Sequence, residues 1–179
     1  MKINDMCNTI YIHHLLKNST VNGPGTRFVI WTQGCPLNCK GCFNQKTHSF
    51  IGGKNINIEK LATAINNTKN IRGITISGGE PLVQTEAISK LLQQINKKLD
   101  ILLFSGYTFD EVKADKNKMF ILHQVDAALL GRYNKNLPHS FYGKKLIIKG
   151  NRIKKEELKP WINTEIIFKE DDVSMTGLY

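Results

Sequence analysis

The sequence is poor in arginine and cysteine, and it has no long apolar run. Of 25 basic residues only four are arginine: Arg27, Arg72, Arg132 and Arg152. Readout of phosphates and bases leans on the guanidinium fork, and the lysines are spread along the chain. Nucleic acid is therefore not an expected partner, although the formal net charge is +10 and an acidic protein partner would fit it. No apolar stretch approaches the roughly 20 residues of a membrane span. Met1 to Asn8 is polar and lacks the apolar region of a signal peptide, so a cytoplasmic location without membrane contact is expected. Four cysteines are too few and too unevenly placed for a disulfide framework, and a reducing compartment suits free thiolates. There is no internal repeat and no low-complexity linker. At 179 residues the chain reads as one domain, large enough to bury a real core.

Three of the cysteines stand together. Cys35, Cys39 and Cys42 follow an apolar run, Arg27-Phe28-Val29-Ile30-Trp31-Thr32, at C-x3-C-x2-C spacing. Such crowding rules out two independent disulfides and lets the thiolates converge on one inorganic centre. Iron–sulfur clusters usually take four cysteines and structural zinc four ligands. Three in register leave one iron open, which is where chemistry happens. Zinc completed by His48 is the rival reading, but its common sites are built from paired C-x2-C knuckles. Cys7 lies upstream and out of register and reads as an idle or half-buried thiol.

Strands are expected at 9–16 (or an irregular lead-in there), 27–32, 73–77, 100–104, 125–130, 145–148 and 165–168. Helices are expected from Asn57, with Ile58, Leu61, Ala62 and Ile65 on one face, and around Ile88, Leu91, Leu92 and Ile95. Further helices are expected at 110–122 and, briefly, near 154–158. Strand, glycine turn, helix, repeated, is the pattern of a parallel α/β sheet. A closed eight-fold barrel needs about 250 residues, so a partial, open TIM-like βα barrel is expected.

The unusual residues follow the strands, where α/β sheets place their sites. Gly78-Gly79-Glu80-Pro81 reads plainly as a strand-to-helix turn with proline at the first helical position. Its functional reading is that two glycines let a ligand lie against the backbone while Glu80 meets an ammonium group. Asn22-Gly23-Pro24-Gly25-Thr26-Arg27 is either a turn or a setting in which Arg27 grips a carboxylate. Ser105-Gly106-Tyr107 and Gly131-Arg132 are strand-end turns whose matched placement suggests one cavity. Asp126 opens a strand and is ambiguous. Lys97-Lys98, Lys144-Lys145 and Lys154-Lys155 read as solvated faces. The histidines, His13, His14, His48, His123 and His139, show no triad spacing.

Cys35-x3-Cys39-x2-Cys42-Phe43 with Ser77-Gly78-Gly79-Glu80-Pro81 resembles the radical S-adenosylmethionine superfamily. Asn22-Gly-Pro-Gly-Thr-Arg27, Gln33-Gly34-Cys35 and Cys42-Phe43-Asn44 resemble its glycyl-radical-enzyme activases. Ser105-Gly106-Tyr107 and Asp126…Gly131-Arg132-Tyr133 are most similar to those serving anaerobic ribonucleoside-triphosphate reductase. The resemblance implies a radical S-adenosylmethionine core over about residues 20–135, with an extension over 136–179. In it Cys35, Cys39 and Cys42 would hold three irons of a 4Fe-4S cluster, and S-adenosylmethionine would chelate the fourth. Phe43, Ser77, Gly78, Gly79, Glu80, Ser105 and Arg132 would contact S-adenosylmethionine. Arg27, Asn44, Tyr107 and Asp126 would bind or position substrate. A flavodoxin- or ferredoxin-like protein would deliver the electron, and a glycyl radical enzyme would be the protein substrate. A small radical enzyme of the deazapurine-precursor synthase type is the alternative within the superfamily, and a non-catalytic iron–sulfur or zinc module the alternative outside it. The departures are in the tail: 141–146 reads Phe-Tyr-Gly-Lys-Lys-Leu where relatives carry Gly-Ser-x-Asn-Gln, and Leu130 stands where they often have aspartate.

Overall fold

In the computed structural model, residues 8–137 and 141–158 are described in full, and 164–169 and 172–177 by their backbone. Cys7 and His139 lie outside the described residues. The strands are β1 (Thr9–Ser19), β2 (Arg27–Thr32), β3 (Lys54–Asn57), β4 (Gly73–Gly78), β5 (Asp100–Ser105), β6 (Ala127–Leu130), β7 (Lys145–Ile148), β8 (Thr164–Lys169) and β9 (Asp172–Gly177). The helices are α1 (Ile58–Asn66), α2 (Thr85–Gln94), α3 (Phe109–Lys113) and α4 (Lys116–Leu122). Seven strands form one open sheet in the order β3-β1-β2-β4-β5-β6-β7, and β8 pairs with β9 in a separate hairpin.

The sheet is mixed. β2, β4, β5 and β6 run parallel, whereas β1, β3 and β7 are antiparallel to their neighbours. The expected parallel unit is thus the centre of the sheet, and antiparallel strands flank it. β1 runs on to Ser19 with two register irregularities against β2. β3, whose sequence Lys-Asn-Ile-Asn carries no apolar alternation, was not expected; backbone pairing with β1 makes it a strand.

Strand parity separates two faces. Phe28, Ile30, Ile74, Ile76, Ile101 and Leu103 join the helices in the main core. Leu102 and Ala127 point to the other face, where they pack with Ile153 and Leu158 of the tail. α1 starts where Asn57 accepts a hydrogen bond from the Lys60 N–H at 3.0 Å, and it buries Ile58, Leu61, Ala62 and Ile65. The expected helix 110–122 is two helices. Thr108 and Glu111 close a capping box on α3, and Asp115 then accepts from the N–H groups of Asn117 and Lys118 to start α4. An aspartate that bonds nearby backbone begins a new helix rather than continuing an old one. The expected helix near 154–158 is a single 3-10 turn, Lys155–Glu157.

This tail is tied to the sheet by charge. Arg72 donates to Glu157 at 2.5 and 3.0 Å, to Asp100 at 2.8 Å and to the Arg152 carbonyl at 2.6 Å. Arg72 holds the Glu157 carboxyl at about 2, below its ordinary 4.5. A depressed carboxylate stabilises the fold fully above the ordinary value and loses that contribution as pH falls through the folded one. Stability from this pair is therefore expected to fade between about pH 4.5 and 2. Melting temperatures measured across that window should decline less steeply in Glu157→Gln than in the wild type.

Candidate active site

Because β2, β4, β5 and β6 are parallel, their carboxyl ends share one edge, and the loops that follow them meet there. The cysteine loop leaves β2 and is held by a 3-10 turn, Gln45–Thr47, that folds back along it. The Gly34 and Cys35 N–H groups donate to the carbonyls of Thr47 and His48 at 2.8 and 2.9 Å. The Gln33 side chain reaches the Ser49 carbonyl at 2.6 Å. Asn44, half-buried at the start of this turn, accepts from both the N–H and the hydroxyl of Thr47.

Cys35 is buried, while Cys39 and Cys42 are half-buried. Burial pushes the Cys35 thiol up, and Glu80, Cys39 and Cys42 nearby push it further against a backbone hydrogen bond that opposes them. Burial also pushes Cys42 up. A loop that gathers three thiols beside a carboxylate makes thiolates costly unless a cationic centre joins them, and an iron–sulfur cluster is such a centre. The donor set thus fits a cluster. Among the described residues, no three His, Cys, Asp or Glu side chains gather closely enough to hold a single metal ion.

The Gly78-Gly79-Glu80 turn differs from its functional reading in one respect. What lies against its glycines is the chain itself. A side chain at Gly79 would meet the Gly34 carbonyl oxygen at 2.4 Å and the Thr47 oxygen at 2.9 Å, and one at Gly78 (φ +110°) would meet the Thr32 backbone nitrogen at 2.4 Å. The Gly79 and Glu80 N–H groups donate to the Thr32 and Gly34 carbonyls, each at 2.9 Å. The glycines therefore allow the β4 turn to seat against the root of the cysteine loop. Ser77, half-buried, accepts from the Thr32 hydroxyl through its carbonyl at 3.2 Å.

Glu80 is fully buried. Its Oε1 accepts from the Leu82 N–H at 2.9 Å and the Ser105 hydroxyl at 2.8 Å, and its Oε2 from the Gly106 N–H at 2.7 Å. The carboxylate clamps the β4 turn to the β5 turn. Burial raises its pKa, against these hydrogen bonds and the charge of Arg132. Three donors leave one carboxylate lone pair for a ligand. Glu80→Gln is expected to lower stability by about 1–3 kcal/mol, because an amide cannot accept from every donor and leaves one unpaired. A denaturant titration with iron content checked alongside measures it. An unshifted midpoint would show that the clamp is unimportant.

Leu37 of the cysteine loop lies so close to Gly106 that a side chain there would meet its Cδ1 at 2.5 Å. Phe43, 49% exposed, places its ring edge-on to Tyr133 with centroids 5.2 Å apart. Tyr107, half-buried, lies beneath the Lys118 ammonium at 4.9 Å and the Arg132 guanidinium at 5.6 Å from its ring centre. The Arg132 side chain is itself committed: it pairs with Glu111 at 2.6 and 2.9 Å and donates to the Gly106 carbonyl. The geometry thus brings together Cys35, Cys39, Cys42, Phe43, Asn44, Ser77, Gly78, Gly79, Glu80, Ser105, Tyr107 and Arg132.

Two expected site residues lie elsewhere. Arg27 opens β2, at the opposite end from the cysteines, and is fully buried. The carboxylate it grips belongs to the chain's own Asp100, at 2.6 Å. Asp126 is at that same end. It accepts from the Ile101 N–H at 2.8 Å and faces Arg152 at 3.3 Å, so it joins strands rather than lining the cavity. Lys144, half of a lysine pair whose local sequence signals only a solvated face, stands beside Gly131 with its ammonium on the Gly131 carbonyl at 2.9 Å.

These loops and thiols define the class as a single-cluster iron–sulfur protein on an open α/β sheet. The family model described as "4Fe-4S single cluster domain" matches residues 21–151, which include all three cysteines of the loop. The anaerobic ribonucleoside-triphosphate reductase-activating protein of Enterobacteria phage T4 is 32% identical over 159 residues, covering 84% of this chain and 93% of the phage protein. Its namesake in Haemophilus influenzae is 34% identical over 122 residues, 63% of this chain and 77% of that protein. The Vibrio cholerae protein of the same name is 32% identical over 130 residues, 68% and 83% of the two chains. The chain belongs to the 4Fe-4S single cluster domain family, among the anaerobic ribonucleoside-triphosphate reductase-activating proteins.

Proposed function

We propose that this protein is a radical S-adenosylmethionine enzyme that installs a glycyl radical on a partner of the anaerobic ribonucleotide reductase type. The observation that carries the reading is the seating of the three-cysteine loop against Gly78-Gly79-Glu80 at the carboxyl edge of the parallel strands. Family membership supports it independently. Cys35, Cys39 and Cys42 hold the cluster. The backbone of Gly78 and Gly79, the free lone pair of Glu80, and Ser77 and Ser105 would hold the methionyl end of S-adenosylmethionine, and Phe43 would cover its adenine. Arg132 takes part by exchanging Glu111 for a ligand carboxylate. Asn44 and Tyr107 border the cavity and position what enters it. A cluster held there would supply the single electron for reductive cleavage of S-adenosylmethionine, the chemistry by which a hydrogen atom would be taken from a glycine of the partner. The protein's own part is orientation and electrostatics.

The open seven-stranded sheet, with helices packed on one of its faces, is read as a partial barrel and radical S-adenosylmethionine core. The family match over 21–151 supports treating 1–179 as one domain with a tail. An open sheet edge suits access by a loop of a macromolecule. The net charge of +10 favours an acidic one-electron donor of the flavodoxin or ferredoxin kind. Among the described residues no helix is long and apolar enough to cross a membrane, and a cytoplasmic site of action is proposed.

The deciding experiment is anaerobic: reconstitute iron and sulfide, reduce with dithionite, add S-adenosylmethionine, and quantify 5′-deoxyadenosine and methionine. A glycyl radical signal on an added anaerobic reductase then identifies the substrate. A cluster that forms but never cleaves S-adenosylmethionine, with or without the reductase, overturns the reading in favour of a binding module.

A further inference from the structure

Among the described residues at the cysteine edge, Lys144 is a cation whose ammonium pairs with no carboxylate. Lys144 ends the turn that returns the chain from β6 to β7, and the pairing of Leu130 with Lys145 sets it opposite Gly131. Its aliphatic stem packs on Gly131, where a side chain would meet Lys144 Cγ at 3.4 Å. Its ammonium donates to the Gly131 carbonyl at 2.9 Å. The Gly131 N–H in turn donates to Ser105 at 3.0 Å, and the Ser105 hydroxyl to Glu80 at 2.8 Å. Lys144 is thereby fixed on the wall that carries the Glu80 clamp. One acceptor uses only one of its three N–H donors.

The charges that face it are those of the site. Cys39, Cys42 and Glu80 all act on Lys144 at electrostatic range, and burial alone draws its pKa down. Of the other cations of this edge, Arg132 is occupied by Glu111, and Lys135 lays its stem against Gly41 of the cysteine loop. The neighbouring Lys145 points away, over the Phe109 ring at 3.8 Å.

We infer that Lys144 is a positioning cation for the cluster, its ammonium offsetting the negative charge of the Cys39 and Cys42 thiolates and stabilising the cluster's reduced state. A cluster's potential follows the net charge and hydrogen bonding around it. An ammonium within electrostatic range of it favours the form with one more electron. The tail segment 141–146, which departs from the resembled family, thus supplies a charge to the reaction centre. The inference rests on the reading that Cys35, Cys39 and Cys42 hold a cluster.

The test is an anaerobic redox titration of the reconstituted protein, followed by the electron paramagnetic resonance signal of the reduced cluster. Lys144→Met and Lys144→Gln are compared with Lys144→Arg and with Lys145→Met as control. At a fixed potential, the two neutral variants are expected to show about a tenfold lower ratio of reduced to oxidised cluster, or about 59 mV for a one-electron couple. Lys144→Arg should restore the wild-type ratio and Lys145→Met should leave it unchanged. Equal ratios in the wild type and both neutral variants, with iron and sulfide content intact, would overturn the role of Lys144 alone. A wild type that binds no iron and sulfide would overturn both this inference and the cluster reading beneath it.

Discussion

Cys39→Ala is expected to abolish both cluster binding and S-adenosylmethionine cleavage while the fold survives. Cys39 is only half-buried, and the core is built elsewhere, from β2, β4, β5 and the helices. Its backbone carbonyl, which accepts from the Cys42 N–H at 3.2 Å, is kept in alanine, so the loop retains its turn. What is lost is one thiolate of three. Two thiolates cannot hold a cluster that already has one iron without a cysteine, and without it no electron reaches the sulfonium. Product formation should fall at least about 1,000-fold, a loss of about 4 kcal/mol or more in transition-state stabilisation. Iron and sulfide assays, 5′-deoxyadenosine yield and a circular dichroism melt read the three parts separately. Retained cleavage in Cys39→Ala would sink the assignment of the cysteine loop.

Arg27→Met tests the other end of the sheet, and its effect should be on stability alone. The guanidinium donates to the Thr75 hydroxyl at 2.7 Å and to the carbonyls of Pro24 and Ile74 at 3.0 and 2.6 Å. It also meets Asp100 Oδ1 at 2.6 Å, as an ion pair off the hydrogen-bond direction. Burial draws its pKa down and Asp100 opposes that shift. The Asn22–Gly25 turn wraps this side chain so closely that a Cβ at Gly23 would lie 2.5 Å from Arg27 Cδ. Removing the cation leaves Asp100, 4% exposed at its side chain, with Arg72 as its remaining partner. Breaking a buried pair from one side costs about 3–5 kcal/mol, or about 10 °C in melting temperature for a chain of this size. Arg27→Met/Asp100→Asn should recover part of the loss, since the uncompensated charge is then gone. Cluster content at low temperature should match the wild type, because Arg27 sits at the far end of β2. A variant that melts normally but binds S-adenosylmethionine poorly would instead return Arg27 to the site.

The parts of the site carried by local sequence could be read without a structure. The cysteine spacing, the glycine pair before Glu80 and the position of each turn after a strand all lie within short segments. Parallel strands necessarily bring such turns to one edge. The same logic misled at Arg27 and Asp126. Both adjoin strands, but at the amino-terminal end, and nothing in the local sequence distinguishes a residue that opens a strand toward a ligand from one that opens it toward a neighbouring strand. The division of 110–122 into two helices is legible in Asp115, a residue type that caps helix starts.

Sequence alone determined the central strands, the apolar faces of α1 and α2 and the three-thiol loop, because each follows from residue spacing at a fixed period or from chemistry within a few residues. The tertiary structure decided which charges meet. Arg27 and Asp100 are partners across 73 positions, Arg72 and Glu157 across 85, and Lys144 reaches Gly131 only because β7 pairs back against β6. A lysine beside another lysine reads as solvated until the fold sets a strand end next to it and two thiols within electrostatic range. Long-range pairing sets the dielectric and the counter-charges around an ionisable group, and local sequence carries neither.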